Sequence, residues 1–292
     1  MTSGRYPGWL PALGVAGIAV VLATGHVCAR YAFANGVTIV TAATTRSIAA
    51  SLLLLAVLRA RNIAVLPLPR EARAAALLGL LIAAQTVLVQ IAVKLMPVTL
   101  AILTMYTFPF LTSIGMSLTG RERLTPRLVA SLACAFAGLA LVLGIGSQTP
   151  SALGIAAALG AALAFSTALV LTPTLAPDLP APLRAFFMVA TAATLFVTAS
   201  LVTGDYRLPE NDAAWLGLAG LSALYAVGFA GLFLLLPLLG PIPIAVTLNL
   251  EPLAVALISW IALGEALTPA QMLGGLVVVA AVIYYQACGQ RR

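Results

Sequence analysis

Two charged side chains lie near the middle of long apolar stretches and define the chemistry open to this chain. Glu251 is the only carboxylate near the centre of such a stretch, and Arg46 is the one basic residue at comparable depth in another. Ionisable groups in apolar surroundings are costly and usually face a partner or a cavity. The sequence leaves two interpretations open: Glu251 pairs with Arg46, or Glu251 exchanges a proton while Arg46 binds a substrate carboxylate.

His26 is the only histidine of the chain and a candidate proton acceptor. Neutral hydrogen-bonding groups occur at similar depths, and with nearby phenylalanines they could line an uncharged, partly aromatic cavity for a small amphipathic solute. The alternative is that several of them only bond across helices. The residues that we predict to contact a solute are His26, Gln85, Tyr106, Ser166, Tyr225 and Asn249.

The elements that hold these residues are membrane spans. The 292 residues are 62% hydrophobic and 8% charged, whereas soluble domains are typically about one quarter charged. Crossing about 30 Å of hydrocarbon takes roughly 20 helical residues. Ten stretches of that kind occur, which predicts an all-α integral membrane protein. The predicted spans are 9–30, 37–58, 74–96, 98–118, 127–146, 150–172, 183–203, 212–236, 242–262 and 270–288.

The second half of the chain repeats the first. The pattern G-x-E-x-L-T-P follows span four, and with one residue of slack at the glycine it also follows span nine. An offset of 143 residues superposes the two copies and also places Pro109 on Pro252 and Tyr106 on Asn249. We predict two domains, 1–147 and 148–292, each with five spans. An odd number of spans inverts the second copy, which is typical of carriers that open alternately to each side.

The two prolines lie about midway along spans four and nine, where each removes a backbone hydrogen bond. Pro109 and Pro252 therefore predict helix kinks, which in symmetric positions suit gates, although plain packing kinks remain the alternative. The repeated turn favours a structural interpretation, in which glycine ends one helix, threonine caps the next and proline occupies its first turn. A gating role for Glu122 and Glu265 is the other interpretation of that turn.

Basic residues predict the orientation. With a cytoplasmic N terminus, eleven arginines lie on the inner side and only Arg30, Lys94 and Arg207 on the outer side, as the positive-inside rule requires. The net charge of +7 thus indicates topology and not nucleic-acid binding. We expect both termini in the cytoplasm. The three cysteines lie on separate spans and predict neither a disulfide nor a metal site.

The ten short-looped spans, the Glu-Pro pair at 251–252, Pro109 and the repeated turn together resemble the drug/metabolite transporter superfamily, EamA type. The resemblance covers essentially the whole chain. It implies two inverted five-helix repeats around a central cavity lined by spans one, three, four, six, eight and nine. Thr24-Gly25 departs from the tryptophan-glycine pair common in the family's first span, and Arg46 matches a basic residue common in its second. The overall pattern is most similar to bacterial exporters of aromatic and other neutral amino acids.

We expect an exporter of small metabolites, most of all neutral or aromatic amino acids, in the bacterial plasma (inner) membrane. Export of drug-like compounds, a passive channel, and an enzyme acting on lipid-linked substrates are the alternatives. The last lacks the cluster of His, Asp or Glu that such an enzyme would expose, so we predict no enzymatic activity. No cofactor is expected. The expected partners are a small-molecule substrate, the lipid bilayer and, as candidate coupling ions, protons, with the chain a monomer or weak dimer.

Overall fold

The computed structural model describes residues 9–65, 69–95, 101, 104–143, 151–175, 177, 179–263 and 268–289. These residues form α-helices and turns, with no strand among them. The helices are α1 (Trp9–Ala34), α2 (Ile39–Ala60), α3 (Pro69–Leu95), α4 (Phe108–Leu118), α5 (Pro126–Leu143), α6 (Ala152–Leu175), α7 (Ala181–Thr203), α8 (Asp212–Leu239), α9 (Pro241–Thr247), α10 (Leu250–Leu263) and α11 (Pro269–Gly289).

The predicted all-α membrane fold is confirmed. Five apolar helices are long enough to cross a bilayer, and five shorter apolar helices complete the set of ten. Helices α1 to α8 match spans one to eight, α9 and α10 together make span nine, and α11 is span ten. Span nine is broken at Leu248–Asn249, and span four at Tyr106–Thr107 just before α4.

The helix ends follow the local sequence. Thr125 precedes α5 and its hydroxyl accepts a hydrogen bond from the Leu128 N–H at 3.2 Å, while Pro126 begins the helix. Gly120 has φ +68°, the left-handed conformation that suits glycine after a helix end. The structural interpretation of this turn is therefore confirmed in the first copy. In the second copy Pro269 begins α11, but Glu265 lies outside the described residues.

The two halves run in opposite directions. Gly14 lies against Leu235 and Gly217 against Ala32, so α1 is antiparallel to α8. The Thr38 hydroxyl before α2 donates to the carbonyl of Asp205 after α7 at 2.9 Å. Because successive spans alternate in direction, α3 runs with α1, whereas its counterpart α8 runs against it. The second repeat is therefore inverted.

The helix packing obeys the same pseudo-two-fold symmetry. The most extensive contacts join α1 to α8 and, by the symmetry, α6 to α3. The pseudo-two-fold axis likewise relates the α2–α8 contact to the α7–α3 contact, and the α1–α10 contact to the α6–α4 contact. Helices α2 and α7 pack on each other across the axis, and so do α5 and α11. Nearly all of the large helix interfaces thus join one repeat to the other.

Glycines allow the closest of these approaches. A Cβ at Gly138 on α5 would lie 2.7 Å from the carbonyl oxygen of Gly274 on α11. Lipid provides no hydrophobic force between helices, so small residues that let backbones touch stabilise the bundle through van der Waals packing.

One buried cluster joins the two repeats near the middle of the bundle. It includes the rings of Tyr106, Phe108, Phe229 and Phe233, each less than one tenth exposed. The Phe108 and Phe165 rings form a T-shaped pair with centroids 5.0 Å apart, and the centroids of the Phe229 and Phe233 rings are 4.6 Å apart. The bundle is packed by aromatic side chains here, and a central cavity remains a prediction.

Candidate functional site

The carboxylate of span nine is held by the first span. Glu251 Oε1 lies 2.8 Å from His26 Nε2, so the contact joins α1 of the first repeat to α10 of the second. No ion pair between Glu251 and Arg46 occurs in the described structure, which corrects the pairing that depth along the spans had suggested. The residue count of each span predicted the depth of both groups but did not show which spans are neighbours.

A helix break places Glu251 at this contact. Leu248 and Asn249 form a turn between α9 and α10, so Glu251 and Pro252 fall in the first turn of α10, where the missing proline N–H costs nothing. The buried Asn249 amide donates to the Val246 carbonyl at 3.0 Å. Its side chain therefore satisfies the end of α9, and the solute contact predicted for it is unsupported by this geometry.

Span four repeats the arrangement. Tyr106 and Thr107 form the break, the Thr107 hydroxyl donates to the Thr104 carbonyl at 2.8 Å, and Pro109 lies in the first turn of α4. Tyr106 is buried and interacts with the Glu251 carboxylate. The two breaks, one in each repeat, therefore meet at Glu251. The kink or gate function of the prolines stays a prediction.

Arg46 occupies a separate position on α2. Its guanidinium carbon lies 4.5 Å from the centre of the Tyr225 ring, a cation–π contact. One terminal nitrogen is 3.5 Å from the Thr86 hydroxyl, at the limit of hydrogen bonding. Its Nε is buried and has no hydrogen-bond partner. Arg46 is thus a cation with an aromatic neighbour, one long hydrogen bond and, within the described residues, no carboxylate in contact.

The remaining predicted residues divide into two groups. Gln85 lies beside Thr86, with its Oε1 3.5 Å from that hydroxyl, and its Nε2 is 4.0 Å from the sulfur of Met105. It therefore adjoins the Arg46 position through weak contacts. Ser166 is buried, with its Oγ 3.2 Å from the Thr112 Oγ1. This contact ties α4 to α6, and the solute contact predicted for Ser166 stays a prediction.

One face of α1 is covered at its start and uncovered at its end. Residues spaced three or four apart share a helix face, and Val15, Ala19 and Leu22 on this face pack into the central cluster. His26 continues the same face, yet its side chain is 55% exposed, against 14% for Glu251. Phe33, two helical turns further along this face, is 38% exposed. The inward face of α1 is therefore exposed at His26 and Phe33, whereas Ala29 between them is buried. We call this stretch the uncovered end of α1.

The opposite face of α1 has the exposure expected of a lipid contact. Leu13, Val20 and Tyr31 on that face are 59%, 50% and 44% exposed. The exposure of His26 is thus of another kind, because it occurs on the face that packs into the bundle. A shallow groove at the end of α2, which includes Arg59 and Asn62, lies 13 residues or roughly 20 Å of helix from Arg46. It is separate from the site.

Sequence reasoning missed that His26 contacts Glu251. It also missed the contacts made by Thr86, Met105 and Thr112. The repeat held a signal for the first. An offset of 140 places His26 on Ser166, and the inverted symmetry brings the first span of each repeat onto the fourth span of the other. A carboxylate in span nine therefore has span one as its neighbour, and the histidine there was its natural partner.

Comparison with known proteins identifies the repeat. The model of the EamA-like transporter family matches residues 9–144 and again residues 152–285. A solved crystal structure of another protein superposes with a TM-score of 0.81 over 94% of this chain and 97% of that chain, at 20% sequence identity, which shows a shared fold. No curated protein matches the chain significantly. With two EamA matches covering most of its length, the chain belongs to the EamA-like transporter family and is a multi-pass membrane transporter of small solutes.

Proposed function

We propose that this chain exports small neutral amino acids, aromatic ones included, by alternating access across the bacterial inner membrane. The observation that supports this most is the pair of opposite charges on the two repeats. Arg46 on α2 has no carboxylate partner among the described residues, and Glu251 on α10 meets a histidine that is itself exposed. A zwitterion offers the complement of both charges.

The chemistry of an α-amino acid fits the two groups. A guanidinium binds a carboxylate through two parallel hydrogen bonds, and the unused Nε of Arg46 is available for one of them. The substrate ammonium would take the Glu251 carboxylate. Tyr225 contacts Arg46, Tyr106 interacts with Glu251, and both rings belong to or pack on the central cluster. An aromatic or aliphatic substrate side chain would lie among these rings.

The fold supports alternating access. The inverted repeats provide two related conformations, and transporters of this design open to either side by moving one repeat against the other. In this conformation the bundle is uncovered around the end of α1 and sealed by Phe108 and Phe233. Under the orientation predicted from the arginines, with both termini in the cytoplasm, the uncovered end faces outward.

Export of drug-like cations is the second candidate, supported by the aromatic cluster beside one carboxylate. Such a solute would need Glu251 and the rings but not Arg46. The two candidates therefore differ in their dependence on a single arginine, and one substitution distinguishes them.

Counterflow in proteoliposomes tests the proposal. Vesicles loaded with unlabelled L-phenylalanine should take up labelled L-phenylalanine in a saturable way, and L-leucine should compete. Arg46→Gln should weaken L-phenylalanine transport by about ten- to a hundredfold, since a hydrogen bond to a charged group contributes about 1.5–3 kcal/mol. Arg59→Gln, at the exposed end of the same helix, is the matched control and should leave transport unchanged.

Two results would contradict this function. Absence of counterflow for L-phenylalanine, L-leucine and every other neutral amino acid would eliminate the substrate class. Equal transport by Arg46→Gln and Arg59→Gln would eliminate the carboxylate site and favour the drug-like cation.

A further inference from the structure

We propose that the His26–Glu251 contact binds the proton that drives export, so that one proton enters as one amino acid leaves. This inference deepens the proposed function, on which it rests, by naming the coupling ion and its site. It starts from geometry: an imidazole and a carboxylate at 2.8 Å join two repeats that must move apart in a transport cycle.

The contact is placed where a proton can arrive. The His26 side chain is 55% exposed on the inward face of α1, at the uncovered end of the bundle. Water reaching this face can deliver a proton to the imidazole or remove one from it. Glu251 is only 14% exposed, so its charge is less well solvated and depends on a nearby cation.

Two cations compete for the one carboxylate. With His26 protonated, the imidazolium neutralises Glu251 within the contact. In the state open to the cytoplasm, a substrate ammonium that binds Glu251 takes over that role, and the proton on His26 leaves to the cytoplasm. In the state open outward, a proton that enters through the uncovered end returns to His26, and the ammonium leaves. No bond other than that between nitrogen and the proton is broken. The ammonium replaces the imidazolium beside Glu251 and the substrate carboxylate binds Arg46, so the site loses one positive charge when the zwitterion replaces the proton. Because the carboxylate accepts either cation but not both, proton and amino acid are exchanged.

The other charged and titratable groups on the packed helices form no ion pair with Glu251 in the described structure, so the two competing cations are the His26 imidazolium and the substrate ammonium. Arg46, the other cation at this depth, contacts the Tyr225 ring on α8 and forms no ion pair with Glu251 in the described structure. Tyr106 lies close enough to Glu251 to interact with it. Cys28 on α1 lies against Gly220, and Tyr285 on α11, which packs on α10, is close to Glu122 at the cytoplasmic turn. Cys134 on α5, the other helix packed on α10, is exposed.

A pH gradient across proteoliposomes tests the coupling. With the membrane potential clamped at zero, a gradient of one pH unit should hold about a tenfold gradient of L-phenylalanine, because one pH unit and one power of ten in concentration are the same free energy. His26→Gln should reduce this accumulation ratio to about one. Thr24→Ala is the matched control, since the Thr24 hydroxyl bonds only to the Val20 carbonyl of its own helix, and it should keep the tenfold ratio.

A second measurement needs no substrate. His26 is the only histidine, so the ¹⁵N spectrum of histidine-labelled, untagged protein reports whether this ring holds one proton or two. At one fixed pH near neutrality, the ¹⁵N spectrum of His26 should differ between the native chain and Glu251→Gln, because the Glu251 carboxylate contacts the ring at 2.8 Å.

The outcomes separate the two proposals. Saturable counterflow with no accumulation under a pH gradient would overturn proton coupling and leave amino acid export standing. Equal ¹⁵N spectra for the native chain and Glu251→Gln would overturn the proton site whatever the substrate. A difference in the spectra without counterflow would support the proton site while contradicting the substrate assignment. Counterflow, accumulation and the spectral difference together are the result we expect.

Discussion

The fourth span of each repeat crosses the first span of the other repeat just after a helix break, and the two crossings differ in chemistry. In one, Phe108 meets Phe165 edge to face, with Thr112 and Ser166 one turn further on. In the other, Glu251 meets His26. The offset of 143 residues places Phe108 on Glu251, and the offset of 140 places Ser166 on His26. The scaffold is shared, and the side chains are not.

This difference shows how a symmetric fold acquires a direction. Phe108 is 2% exposed, and a crossing made of rings excludes water and cannot titrate. Under the proposed coupling, the His26–Glu251 crossing exchanges a cation at the uncovered end of α1. A duplicated unit would treat both sides of the membrane alike. Placing the ionisable pair at only one crossing makes the two sides of this transporter unequal.

The largest effect is expected from removing the ring that seals the apolar crossing. Phe108→Ala leaves a cavity among Tyr106, Phe165 and the rest of the cluster, and should lower the free energy of unfolding by about 3–5 kcal/mol. Denaturation in mixed micelles measures this loss. Phe33→Ala, which truncates a partly exposed ring at the uncovered end, should cost far less. Equal losses for the two variants would show that Phe108 is no more tightly packed than Phe33, and that the apolar crossing is not sealed.

The amino-acid sequence predicted the helices and breaks that form both crossings. Of the contacts themselves, it predicted only that Glu251 would face a partner or a cavity. Repeated prolines located both breaks, and Thr125 with Pro126 located a helix start, because these preferences depend on the backbone of a few neighbouring residues. Glu251 and Arg46 lie within helices, as predicted. Their partners were not found, because a contact between spans depends on helix rotation and on which spans are adjacent. Neither is a local property of the chain.

A smaller effect is expected at the backbone contact that positions the end of α1. A Cβ on Gly217 of α8 would lie 2.8 Å from the Ala32 nitrogen and 2.9 Å from its Cα. Gly217→Ala should therefore lower the free energy of unfolding by about 1–3 kcal/mol through overpacking. Gly17 on α1 has open space at its Cβ position, so Gly17→Ala should be neutral or gain up to about 1 kcal/mol of helix propensity.

The Gly217 variant also tests whether the uncovered end depends on the seating of α1. Displacing Ala32 moves Phe33 and the inward face that includes His26. A thiol probe at Phe33→Cys should change its labelling rate when Gly217→Ala is added, and not when Gly17→Ala is added. Unchanged labelling in both double variants would mean that this backbone contact does not set the opening.

The smallest effect is expected at the hydroxyl pair of the apolar crossing. Thr112 Oγ1 lies 2.8 Å from the Phe108 carbonyl and 3.2 Å from Ser166 Oγ. A hydroxyl has one proton, so if Thr112 donates to the carbonyl, Ser166 donates to Thr112. The coupling in a cycle of Thr112→Val and Ser166→Ala should be about 1 kcal/mol, the net value of a buried neutral hydrogen bond. Thr194→Val, whose exposed hydroxyl bonds to its own helix, is the reference for loss of a hydroxyl alone.

Ser166 gives the sharpest separation of the two crossings because it is the symmetry mate of His26. Ser166→Ala should lower stability slightly and leave the pH-driven accumulation ratio of L-phenylalanine unchanged, since a serine hydroxyl does not titrate in the working range. His26→Gln should do the reverse, with a large loss of accumulation. Were Ser166→Ala to reduce the accumulation ratio as His26→Gln does, both crossings would take part in coupling, and the unequal division of chemistry between the repeats would be wrong.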